Sequence, residues 1–101
     1  MRPDYLRRTQ GRVAQVQQAL ATAPADGEPA LLSDARLVLH DIAGTAAVMG
    51  LPEIGTAARG AEDRVVALAQ SAEPLREAEL DPLRQEIAAL MEALTTALGD
   101  P

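Results

Sequence analysis

The chain contains no cysteine, no lysine, no tryptophan and no phenylalanine, and only one tyrosine. Without cysteine there is neither a disulfide framework nor a thiolate metal site. Without large aromatics the core must be built from Leu, Val, Ile, Met and Ala, and with 48% apolar residues that mixture favours packed helices. All nine basic residues are therefore arginines, set against fifteen acids for a net charge of -6, which argues against a nucleic-acid partner because a phosphate backbone requires a basic face. No apolar run is long enough to span a bilayer and no signal-peptide pattern is present, so the expectation is a cytoplasmic protein with no membrane partner. The length, 101 residues, suits one domain over 1–101 and leaves no room for a nucleotide-binding kinase module beside it. No glycine-rich phosphate loop occurs.

Breaks at Ala23–Pro29, Gly50–Pro52 and, less sharply, Ser71–Pro82 divide the chain into four segments. In the first, from about Asp4 to Ala23, Leu6, Val13, Val16 and Leu20 recur on one helical face, with Gly11 as a point of weakness. The second runs from about Ala30 to Met49 and stops on Gly50, a residue suited to the left-handed conformation past a helix end. Pro52 suits the first turn of the third, whose stripe is Ile54, Ala58, Ala61, Val65 and Leu68. For the fourth, Asp81 is the expected N-cap before Pro82, and Leu83, Ile87, Leu90, Met91, Leu94 and Leu98 form the apolar face. Pro74 to Leu80 reads as a short extra turn or an early start of that helix. No segment alternates with period two, so the predicted fold is all-α, an up-down-up-down antiparallel four-helix bundle.

The only histidine, His40, sits inside the second segment. At about 100° per residue, Leu31, Ala35, Val38, Ile42, Thr45 and Met49 lie within roughly 40° of the direction opposite it. They are the expected core face. His40 is then exposed near mid-helix, with Arg36, Leu37, Ala43, Gly44 and Ala47 around it and Leu37 and Val48 as an apolar rim. Glycine inside a helix costs about 1 kcal/mol relative to alanine. Its presence at position 44 is explained if another protein must approach the imidazole closely. An exposed imidazole is a competent nucleophile that can carry a phosphoryl group, provided a partner supplies metal and acceptor.

The run "HDIAGTAAVMGLPEIGTAARGAE" resembles the central signature of the histidine-containing phosphotransfer (HPt) domain family: His, a small or apolar pair with Lys, Gly, a second Gly six residues on, then a Leu-rich helix with a Glu. Here these positions are His40, Ile42, Gly44, Gly50, Ile54 and Glu62. The resemblance implies a phosphorelay intermediate without kinase activity of its own. Its partners would be response-regulator receiver domains and a hybrid sensor kinase; it would be a monomer with no cofactor, Mg2+ belonging to the receiver. His40 would be the phosphoryl acceptor, Leu37, Ala43, Gly44, Ala47 and Val48 the docking surface, and Gly50 and Pro52 the structural turn. The family's lysine is absent, Ala43 standing three residues after the histidine. Arg36, one turn before His40, is the first candidate to replace it, and Arg59 on the next helix the second.

Other readings remain beside this one. A lone histidine lacks the further ligands that zinc needs. Glu62 and Asp63, as adjacent acids, read as a solvated face rather than a hydrolytic pair. The competing class of function is a helical adaptor, or a degenerate family member that docks receivers without accepting phosphate.

Overall fold

Leu6, Thr9, Val13, Val16 and Leu20 repeat at intervals of three and four residues and are all buried, so the first segment lays one continuous stripe into the core. The computed structural model describes residues 2–21, 29–70 and 77–99, and nearly all of these lie in four helices: α1 (Arg2–Ala21), α2 (Pro29–Val48), α3 (Pro52–Ala69) and α4 (Glu77–Gly99). The described residues contain no strand. Of the expected breaks, 23–28 and 71–76 lie outside the described residues. α1 passes through Gly11 without interruption. The buried Thr9 hydroxyl donates to the Tyr5 carbonyl at 2.7 Å, which is how a polar side chain is accommodated on the apolar stripe.

Each helix packs on two others, α2 most extensively on α3, α4 on both α1 and α3, and α1 only thinly on α2. Ile54, Ala58, Ala61 and Val65 of α3 meet Leu39, Ile42, Ala43 and Ala46 of α2 and Leu83, Ile87, Leu90 and Leu94 of α4 in one core. Burying a leucine of this kind contributes about 2 kcal/mol. Arg84 adds a polar link, donating through Nη2 to the Leu20 carbonyl at the end of α1 at 2.8 Å and through Nη1 to Asp81 at 2.9 Å.

Two features differ from expectation. α4 begins at Glu77, the early start that the Pro74–Leu80 stretch allowed, so Asp81 is inside the helix and is not its N-cap, and Pro82 is an interior residue. Leu80, in the turn before the proline, is 1% exposed. Its burial offsets the backbone hydrogen bond that Pro82 cannot make.

The second difference is the orientation of α2. Its buried residues are Leu32, Ala35, Leu39, Ile42, Ala43 and Ala46, centred about 110° from His40 rather than opposite it. Val38, Thr45 and Met49, expected in the core, are only half-buried, and the side chain of Leu31 lies outside the described residues. Small residues cause the rotation. A Cβ placed on Gly55 would stand 3.6 Å from the Ala46 Cβ and 3.8 Å from the Ala43 carbonyl oxygen, so α3 lies close against the alanine stripe of α2.

Candidate functional site

The turn between α2 and α3 determines what faces His40. Gly50 has φ +71°, in the left-handed region that glycine enters without strain. Around it, the Leu51 amide donates to the Ala46 carbonyl at 2.9 Å and the Gly50 amide to the Ala47 carbonyl at 3.4 Å, the paired bonds of a Schellman motif. Pro52 then occupies the first turn of α3, where an N–H would have no partner. The chain reverses within these few residues, and Glu62 comes level with His40.

His40 Nδ1 lies 2.9 Å from Glu62 Oε2. The two side chains differ in setting: the imidazole is 74% exposed, whereas the carboxylate is only 14% exposed. A carboxylate can only accept, so the neutral ring bonded to it carries its proton on Nδ1. Nε2 is left with its lone pair directed away from that bond, on an exposed ring. Glu62 is thus not a solvated-face residue but the group that holds the imidazole. Asp63, its neighbour, is exposed and turned to a different hollow.

On the other flank, Arg12 of α1 pairs with Asp41 at 2.6 Å, tying α1 to α2 beside the histidine. His40, Asp41, Gly44, Thr45 and Val48 line an open hollow of about 400 Å³. A Cβ on Gly44 would meet nothing within 4 Å among the described residues, so no packing among them requires glycine there. Leu37 at 62% and Val48 at 88% exposure are the large apolar side chains left uncovered among the described residues. Within about 80° of His40 on the wheel, they border it along the helix, and Ala47 and Arg36 are exposed on the same side.

Ala43 is different. Expected on the exposed side, it is 4% exposed, because the rotation of α2 turns it towards α3. It is therefore part of the floor of a second hollow, a groove of about 520 Å³ between α2 and α3 that it lines with Ala47, Gly55, Arg59, Gly60 and Asp63. Arg59 is exposed at the edge of this groove, while Arg36 borders neither hollow. Among the described residues no group of three or more His, Cys, Asp or Glu side chains is arranged to hold a metal ion, and no helix is long and apolar enough to cross a membrane.

This arrangement presents one oriented, uncrowded nucleophile on a helical face, without any nucleotide-binding element among the residues around it. Comparison with known families gives one match: the model of the Hpt domain, over residues 1–97. No curated protein and no solved structure gives a significant match.

Proposed function

The chain belongs to the Hpt domain family, whose members are phosphotransfer intermediates of two-component phosphorelays that interact with response-regulator receiver domains and are not kinases, and we propose on that basis that His40 carries the phosphoryl group between receiver aspartates. The observation that carries the reading is the bond from His40 Nδ1 to Glu62, which leaves Nε2 as the exposed nucleophile. In the forward step the Nε2 lone pair attacks phosphorus of the receiver's aspartyl phosphate. The P–O bond to the aspartate breaks and its electron pair returns to the carboxylate. The proton stays on Nδ1, where the Glu62 carboxylate balances the charge of the phosphorylated ring. Because the step exchanges similar bonds, the same residues serve the reverse transfer.

Leu37, Gly44, Ala47 and Val48 supply the docking surface in this reading, the uncovered apolar side chains meeting the receiver and Gly44 admitting its active-site loops. The buried Ala43 contributes from beneath, by its small size. An arginine, Arg36 or Arg59, takes the part of the missing lysine. The pairs that join neighbouring helices, Gln10 with Thr95 and Leu20 with Arg84, His40 with Glu62, support the alternating up-down-up-down antiparallel course expected of such a bundle. The protein acts as a single-domain cytoplasmic monomer without a cofactor of its own. A hybrid sensor kinase feeds it, and Mg2+ belongs to the receiver.

The test is transfer of label from a panel of phosphorylated receiver domains to the purified chain. Acid-labile, alkali-stable phosphate on the wild type, absent from His40→Gln, is the expected result. Receivers that bind the chain equally well with or without His40 and never pass phosphate to it would support an adaptor and overturn the reading.

A further inference from the structure

The groove between α2 and α3 holds an arginine opposite the alanine that replaces the family's lysine. Position 43 forms part of the groove floor, so a longer side chain there would rise into the space that Arg59 borders from the other wall. We propose that Arg59, reaching across this groove from α3, binds the phosphoryl oxygens on His40 and supplies the positive charge that residue 43 lacks. The inference rests on the phosphotransfer reading of His40.

Charge makes a cation necessary at this place. Glu62 touches the ring, Asp41 adjoins it in sequence, and Asp63 lines the same groove as Arg59. A phosphoryl group on Nε2 adds further negative charge to that set. Three arginines near the helix contacts are already engaged: Arg12 by Asp41, Arg64 by Glu86, and Arg84 by Asp81. Arg7 and Arg8 stand on α1, whose packing against α2 is the thinnest in the bundle. Of the described arginine side chains, Arg36 and Arg59 remain, both exposed and neither in an ion pair with a described residue.

Geometry separates those two. Arg36 lines neither hollow, whereas Arg59 lines the groove whose floor includes position 43. Arg59 belongs to the helix that already delivers Glu62 to the ring, and it stands three residues from Glu62, about 4.5 Å along the axis. Its path is also open. The residue one turn before it is Gly55, close against Ala43 and Ala46, so no side chain there fills the lane between the guanidinium and position 43. A guanidinium offers two parallel donors to phosphate oxygens, which suits it to this role.

Phosphoramidate tests the idea without a partner, since Nε2 can displace ammonia from it to give phosphohistidine. Uptake and loss of acid-labile phosphate are followed in the wild type, Arg59→Ala, Arg59→Lys, Arg36→Ala and the double variant Arg59→Ala with Ala43→Lys, with thermal unfolding measured on each. Uptake by Arg59→Ala is expected to fall about three- to fivefold, the scale of one solvent-accessible ion pair. Arg36→Ala should stay within about twofold of wild type. Arg59→Lys and the double variant should regain part of the loss, which a merely structural role for Arg59 would not produce. Wild-type uptake and lifetime in Arg59→Ala overturn the proposal while leaving His40 as acceptor. A wild type that takes up phosphate elsewhere than His40, or not at all, overturns the underlying reading instead.

Discussion

Replacing Gly44 by Gln should separate stability from docking. Gly44 is exposed in the middle of α2, and a Cβ there would meet no atom of the described residues within 4 Å. The substitution therefore introduces no clash and removes the conformational cost of glycine, a gain of about 0.7 kcal/mol in a helix interior. For a domain of this size that corresponds to a rise in Tm of roughly 3–6 °C. The same side chain would project into the hollow bordered by His40, Thr45 and Val48, where, in the proposed transfer, a receiver brings its aspartate to Nε2. Transfer from a phosphorylated receiver should then fall by about tenfold or more, because misplacing the reacting groups by about 1 Å is enough for a loss larger than this. Thermal unfolding by circular dichroism and single-turnover transfer measured on the same preparation decide the matter. A variant that melts higher and transfers at the wild-type rate would refute the docking argument. One that melts lower would show that the helix is strained at position 44 in a way its open surroundings do not explain.

Glu62→Gln keeps an acceptor for Nδ1–H but removes the charge, so it should slow transfer about fivefold while preserving the tautomer; Glu62→Ala should lose both. Long-range proton–nitrogen NMR of His40 reads the tautomer, and an unchanged ratio in Glu62→Ala would remove Glu62 as its cause. Among the described residues the phenolic oxygen of Tyr5 is buried without a hydrogen-bond partner, the Thr9 hydroxyl being committed to the Tyr5 carbonyl. Burial raises its pKa above 10.0, with the nearby Asp41 adding to the effect. The neutral phenol is favoured in the folded state, so stability is fully present below the unfolded value of about 10 and is lost as pH rises through the folded one. Tyr5→Phe should unfold at equal or up to about 1 kcal/mol higher stability at pH 8 and should lose less on going to pH 11; an identical alkaline loss in both proteins would contradict this.

Helix number and type were legible in the sequence because the apolar residues of α1, α3 and α4 are strictly spaced. Leu6, Val13, Val16 and Leu20, and again Ile54, Ala58, Ala61 and Val65, are buried where the period of 3.6 puts them. The turn was legible for a different reason: glycine and proline are tied to particular backbone conformations, and Gly50 and Pro52 adopt them. Orientation of α2 was not. Leu31, Leu32, Leu37, Val38, Leu39 and Ile42 go nearly round that helix, so hydrophobicity defines no single face. What selects the face is closeness of approach, set by Ala43, Ala46 and Gly55, residues that carry almost no hydrophobic signal. Pro82 misled for the same reason, since a local rule placed the start of α4 there while Leu80 had a long-range reason to be helical. Glu62 could be noticed by its spacing from His40, but its bond to Nδ1 depends on the α2–α3 register, which no helical wheel contains.

The rotation of α2 also bears on why a missing lysine can be tolerated. Had the core face been opposite His40, position 43 would have been exposed, and its charge would have been one among several on an open surface. Turned towards α3, position 43 instead belongs to a groove with two walls, and a cation from either wall can serve the space between them. An alanine at 43 leaves the groove unfilled beside the close approach of Gly55 to α2, where an added Cβ would stand 3.6 Å from the Ala46 Cβ. The charge requirement and the packing requirement at one position are thereby assigned to two residues, Ala43 for packing and Arg59 for charge. Restoring lysine at 43 while Arg59 is intact should consequently add little to phosphate uptake, because two cations would compete for one phosphoryl group. An Ala43→Lys variant that accelerates uptake as much in the wild type as in Arg59→Ala would mean that the two positions act independently, and the division of labour would not hold.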